Sequence, residues 1–264
     1  MTLTEEIHKL RELECSEGKC VLSVYLNTDP ANPDQQKGEW KIRLKNGLKR
    51  LEEYIEASGE TEELKSYKKL RKKVDDEING NRTNLTKSVV IFASDEEDLW
   101  SVHYLPIAVE TDFQWEKTAQ VDQLEMLEKH YPLAGIVLPN MDEVKIIETS
   151  LGEINNEWTY TFDSGKEEWS LSDGMASGDR IASGATHVDK FQQRFEENLQ
   201  RFYKEMATKV ENLKKKQNWE EIHLVGEAEM VRNFESGLRK EVASRVEKNL
   251  NKASATKVLD EVFS

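Results

Sequence analysis

Apolar positions recur along the chain with two periods, and the switches between them mark its elements. Behind Thr4, Ile7, Leu10 and Leu13 fall three apart, which predicts a short amphipathic helix closed by Gly18. Residues 20–26 are mostly β-formers and read as a buried strand, followed by a turn cluster holding Pro30 and Pro33. Leu44, Leu48, Leu51 and Ile55 form one helical stripe over 38–57, and Leu64, Tyr67, Leu70, Val74 and Ile78 a second over 60–78. Strands at 88–93 and 99–105 flank an acidic turn and predict a hairpin, and Val121, Leu124 and Leu127 predict a helix over 118–130.

Tyr131 and Pro132 make a natural boundary, so the expected domains are 1–131 and 132–264. The second half opens with strands at 133–138 and 144–149 and a third at 158–162. A polar loop over 170–190 follows, with Gly174, Gly178 and Gly184 and few residues able to form a core. It runs into a helix over 191–213, whose face carries Phe191, Phe195, Leu199, Phe202, Met206, Val210 and Leu213. Residues 221–226 read as a short strand. Met230, Phe234, Leu238, Val242 and Val246 predict a helix over 227–248, and 253–263 a last one. The expected class is α/β in both domains. The loop is the first place to look for function, because long loops in compact domains are usually functional or disordered.

Composition adds a constraint. The chain has 37 Lys and Arg against 51 Asp and Glu, a net charge of −14. Such a balance disfavours indiscriminate nucleic-acid binding but leaves room for a local basic face. Both helices of the first half are basic on their outer faces, with Lys41, Lys45 and Lys49 on one and Lys68 and Lys72 on the next. Two readings stay open: a solvated face balanced by interspersed Glu, or a surface for a polyanion. Cys15 and Cys20 lack nearby partner ligands, which argues against zinc and for two separate reduced thiols. No run approaches the ~20 apolar residues that span a bilayer. With no signal-like N-terminus either, the expected location is cytoplasmic, away from membranes.

No nucleotide-binding or zinc-ligand spacing appears, and neither a metal nor a cofactor is expected. Asp142, Glu143, Glu148 and Asp163 are the carboxylates a metal-dependent nuclease would use, but they fall at hairpin ends and strand edges where charge also serves solubility. His103 and His223 lie within strands, where a lone histidine is usually packed. Ser183, His187 and Asp189 can be drawn as a triad, yet residues so close in sequence rarely meet in that geometry.

The stretches Gly135–Thr149, Phe191–Tyr203 and Ile222–Gly226 resemble the opening hairpin, the post-loop helix and a strand-turn of the central domain of archaeo-eukaryotic class I release factors and Pelota. Leu22–Pro30 and Trp40–Leu48 resemble bacterial members of that superfamily. The resemblance implies an RNase H-like second domain and a ribosomal partner, through rRNA and P-site tRNA. In release factors the loop before the post-loop helix carries Gly-Gly-Gln. The matching positions here are Gly184, Ala185 and Thr186, beside His187, so the glutamine and one glycine are missing. The implied role is a factor that enters the ribosomal A site and directs this loop to the peptidyl-transferase centre without hydrolysis, in hibernation or rescue. A release factor with an altered loop and a ribosome-independent interaction module are the alternatives. Arg180, Lys190 and Lys204 around the loop would join the lysines of the first half in RNA contacts. The release-factor domain that binds a GTPase has no counterpart before Ser264, so no GTPase partner is expected.

Overall fold

A computed structural model describes residues 3–16, 18–31, 38–95, 98–141, 143–163, 168–172 and 185–264, without the side chains of residues 3–5, 163, 168–169, 172 and 185–200. The chain divides into two compact units, Met1–Lys129 and His130–Ser264.

The first unit is built on an antiparallel sheet of β1 (Val21–Asn27), β2 (Ser88–Ser94), β3 (Leu99–Leu105) and β4 (Asp112–Glu116), in the order β3-β2-β1-β4. Alternation along each strand sends Leu22, Val24, Val89, Ile91, Phe113 and Trp115 to one face. There they meet the apolar stripes of α2 (Glu39–Ser58) and α3 (Thr61–Gly80), which bury Leu44, Leu48, Ile55, Tyr67, Leu70, Val74 and Ile78. On the sheet's other face, Ser23 Oγ accepts from the Gln120 amide and the Tyr25 hydroxyl donates to the Gln120 carbonyl, holding the lead into α4 (Asp122–His130). Gly47 lets α2 approach β4, since a Cβ there would lie 2.3 Å from the Phe113 ring. Helix α1 (Leu3–Glu12) stops well short of Gly18.

Two differences from the sequence reading concern this unit. Asp112–Glu116 is a strand that had no assignment, although Phe113 and Trp115 alternate inward; its charged ends masked a five-residue signal. Cys15 and Cys20 are not separate thiols: they form a disulfide. Gly18, at φ +64°, turns the intervening loop, and the Cα atoms stand 6.0 Å apart, within bridging range.

The second unit holds a mixed sheet of β5 (Ala134–Pro139), β6 (Glu143–Ser150), β7 (Glu153–Asp163), β8 (Glu168–Ser172), β9 (Glu221–Val225) and β10 (Ser244–Val246), ordered β10-β9-β5-β6-β7-β8. Strands β5 to β8 form an antiparallel meander, while β9 runs parallel to β5 and β10 parallel to β9. This is the RNase H-like arrangement with one added antiparallel strand. Helix α5 (Ala185–Gln217) lays Phe202, Tyr203, Met206 and Val210 on one face of the sheet, with α6 (Ala228–Glu235) beside it. Helix α7 (Ala255–Val262) covers the other face through Val258 and Leu259. Among the described residues no helix is long and apolar enough to cross a membrane.

The helix expected over 227–248 ends at Glu235 instead. The amides of Gly237 and Leu238 bond back three residues, to the Phe234 and Glu235 carbonyls. At Gly237 the backbone closes on α5, where a Cβ would stand 3.0 Å from Lys204 Cα. Leu238 and Val242 still pack on the core, so the helical spacing was met by a turn and a strand. The loop expected over 170–190 is shorter at both ends. Ser170–Ser172 belong to β8, paired with β7, and α5 begins at Ala185 rather than Phe191.

His223 carries a titration that couples pH to the stability of this fold. It is buried on β9, its Nδ1 2.8 Å from Ser244 Oγ and its Nε2 3.2 Å from Glu221 Oε2. Burial lowers its pKa, and the attraction of Glu221 only partly offsets that. The folded state therefore binds fewer protons than the unfolded chain, and its stability falls as pH drops through about 6.5, the unfolded value, toward the lower folded one. Urea midpoints at pH 7.5 and 5.5 check this: His223→Gln should lose less stability over that interval than the wild type, and parallel losses would contradict it.

Candidate nucleic-acid interface

Helices α2 and α3 follow each other through Gly59, at φ +82°, and lie side by side on the first sheet. Each buries its apolar stripe, and that fixes where the other positions point. Lys41 and Lys45 are one turn apart on α2, and Lys68 and Lys72 one turn apart on α3. All four line a groove of ≈ 480 Å³ between the helices, together with Leu48, Glu52, Arg71, Asp75 and Asn79.

The charges in this groove are unevenly matched. Glu52 receives Arg71 and Lys68, the latter at 3.4 Å, and Lys68 also reaches Glu56 at 3.1 Å. Lys41, Lys45 and Lys72 have no ion-pair partner among the described residues; Lys41 only rests over the Trp40 ring, 5.4 Å from its centroid. Three exposed ammonium groups with no carboxylate partner are a local excess of positive charge in a chain of net charge −14. Three ammonium groups spaced along a groove can take the phosphates of one backbone, each as a point charge with movable donors.

The candidate residues thus separate. Lys41, Lys45, Lys68 and Lys72 come together. Lys49 does not line the groove and pairs with Glu53 at 3.1 Å. Arg71 lines the groove and was not singled out in the sequence, although it sits three residues beyond Lys68 on the same face. Lys204 is exposed on α5 in the second unit. Gly184 and Arg180 lie outside the described residues. Ala185, Thr186, His187 and Lys190 fall within the first turns of α5, which makes two of the three positions matched to Gly-Gly-Gln helical rather than loop. Of the drawn triad, Ser183 lies outside the described residues and His187 and Asp189 are helical.

Of the candidate carboxylates, Glu148 has a structural duty. Glu148 is buried and accepts from Trp219 Nε1 at 2.7 Å and from Asn156 Nδ2 at 2.7 Å, one partner for each oxygen. Asp142 lies outside the described residues, and so does the Asp163 side chain. Among the described residues no three His, Cys, Asp or Glu side chains could hold a metal ion together. His103 Nε2 is 2.8 Å from Ser101 Oγ and 3.4 Å from Glu6 Oε1, a packed strand histidine.

Comparison with known proteins covers both units. The model for bacterial archaeo-eukaryotic release factor family 5 matches residues 132–264, which is the second unit almost end to end. The chain belongs to that family. Membership places it among translation-factor-like proteins. It is 33% identical over 263 residues to the uncharacterised protein YocB of Bacillus subtilis (strain 168), covering 100% of this chain and 99% of that one. That match takes in the first unit as well as the second. Among solved structures the chain is similar to a crystal structure of an archaeal translation termination factor, aRF1, at a TM-score of 0.36 and 12% identity, over 97% of this chain and 71% of that one. A structure titled only as an archaeal protein gives a TM-score of 0.34 at 13% identity, over 98% and 71%.

The groove separates two lysines that look alike in sequence. Lys45→Glu should elute from a heparin column at lower salt than the wild type, because it removes a cation that no carboxylate matches. Lys49→Glu should shift elution less, since Glu53 already shares that charge. Equal shifts would mean that the groove is no focus for anions.

Proposed function

We propose that this protein is a ribosome-associated factor of the A site. The α2–α3 groove of its first unit contacts RNA phosphates, and the segment ahead of α5 is directed toward the peptidyl-transferase centre without hydrolysing peptidyl-tRNA. It would act on idle or stalled ribosomes, in hibernation or rescue.

One observation carries the reading: a release-factor family member of net charge −14 keeps Lys41, Lys45 and Lys72 together and unmatched. An acidic chain gains nothing in solubility from such a cluster, whereas RNA binding requires one. The family's role supplies the ribosome as the RNA. Particular residues support the absence of hydrolysis. Where release factors carry Gly-Gly-Gln, this chain has Gly184, Ala185 and Thr186. Ala185 and Thr186 stand in helical backbone. Their amides are thus at the start of a helix instead of at the tip of a glycine loop, which needs conformations that only glycine adopts freely.

Two assays on ribosomes test the proposal. In gradients, the wild type should sediment with ribosomes, and the triple variant Lys41→Glu, Lys45→Glu, Lys72→Glu should stay at the top. The salt slope of its residual binding should be shallower by roughly 2–3, about one unit per lost phosphate contact. In single-turnover assays with labelled peptidyl-tRNA, saturating protein should leave the release rate at the buffer value. Sedimentation unaffected by the triple replacement would contradict the groove, and accelerated release would make the protein a release factor with an altered loop.

A further inference from the structure

Beside the α2–α3 groove lies a second depression that the phosphate contacts do not use. It measures ≈ 420 Å³ and is lined by Trp100, by Lys69, Lys72 and Lys73, and by Asp76, Glu77 and Asn81. Lys72 lines both depressions, so the two adjoin at its side chain.

Trp100 is an unusual residue for this place. It sits on β3, at the edge of the sheet, and packs only partly on the core, in line with Val102 and Tyr104. Its ring carries the ammonium of exposed Lys73, 3.9 Å from the centroid. The polar groups around it are sorted into engaged and available. Glu77 accepts from the Tyr104 hydroxyl at 2.9 Å and from Asn81 Nδ2 at 2.8 Å. Lys69 pairs with Asp95. Asp76 and Lys72 have no partner among the described residues. The depression therefore offers an aromatic face under a movable cation, a carboxylate able to accept from a base edge, and a cation shared with the phosphate groove.

We propose that Trp100 is a stacking platform for an unpaired RNA base whose flanking phosphates lie in the α2–α3 groove. This rests on the RNA-facing reading above and adds to it a preference in RNA structure. Every base has a π-face, and stacking on the accessible face of an aromatic ring adds affinity that does not depend on charge. A duplex keeps its bases inside the helix and cannot use the platform, whereas a bulged or looped nucleotide can. Lys73 moves off the ring as the base arrives and remains close enough to meet a phosphate. Asp76 would favour bases that present an N–H edge.

The test uses the full-length protein and three labelled RNA hairpins: fully paired, with one bulged adenosine, and with an abasic residue in the same bulge. The last two carry equal charge. The wild type should bind the bulged hairpin about 10-fold tighter than the abasic one, within the range of one base stack. Trp100→Ala should abolish that difference and leave the salt slope unchanged. Trp100→Phe, which keeps a ring and guards against misfolding, should retain part of it. A 4-thiouridine in the bulge should cross-link to the peptide containing Trp100. Equal affinity for bulged and abasic hairpins, or a preference that survives Trp100→Ala, overturns the platform. If all hairpins still lose binding on replacement of Lys41, Lys45 and Lys72 by Glu, the phosphate groove stands without it. If neither replacement matters, the RNA-facing reading falls as well. Displacement of the RNA by an acidic peptide, in a manner that requires Trp100, overturns the platform in favour of a protein partner.

Discussion

The hydroxyl of Tyr67 donates to the carbonyl of Leu48 at 2.6 Å, inside the core of the first unit, and the arrangement of its surface depends on that contact. Tyr67 is fully buried, and its ring meets the edge of Trp115 at 5.4 Å between centroids. Burial pushes its phenol far above the usual range, so it stays a donor at any physiological pH. One side chain thus joins α3, α2 and β4. A hydrogen bond of this kind contributes about 1 kcal/mol net, but leaving its donor or acceptor unmatched in the core would cost more. What it secures is register. With α2 and α3 held at fixed height and rotation, Lys41 and Lys45 face Lys68 and Lys72 across one groove. Gly47 extends the constraint by letting α2 lie against Phe113.

The second unit has a comparable lock. Trp219 follows α5 and lies against Gly135 of β5, where any side chain would collide with its ring. Its indole N–H closes on Glu148. The buried carboxylate that resembled a metal ligand is therefore the anchor of a helix–sheet joint. Tyr203 adds a second joint, donating to the Asn140 carbonyl at 2.9 Å. The C-terminal half of α5 is held by these contacts and by Phe202, Met206 and Val210. Its N-terminal end carries Ala185 and Thr186, two of the three positions matched to the release triplet.

Helical stripes and buried strands were legible in the sequence because burial writes them with period. Leu44 to Ile55 and Leu64 to Ile78 lie on their helices as read, and the paired strands from Val89 and Ile136 need no correction in kind. The strands around Phe113 and Leu171 were missed because an edge strand of five residues leaves two or three informative positions, and charge at its ends imitates a loop. The helix read over 227–248, which ends at Glu235, shows the opposite failure. Leu238, Val242 and Val246 keep helical spacing, but the close approach at Gly237 is a tertiary fact that period cannot reveal. The same limit applies to the interface. Basic residues could be counted in the sequence, but which of them have carboxylate partners could not. Lys49 differs from Lys45 in pairing with Glu53 and in lying outside the groove, and Arg71 joins the groove only because α3 lies against α2.

Charge and fold together give a consistent account. On the proposed reading, the overall acidity disfavours nonspecific polyanions while the local cluster of unmatched lysines selects one that can reach into a groove. Imaging the protein bound to ribosomes tests that account most directly. It predicts density in the A site, with α2 and α3 against RNA phosphates and the start of α5 directed toward the peptidyl-transferase centre. Density at another site, or an α2–α3 face turned to solvent on the ribosome, would contradict it.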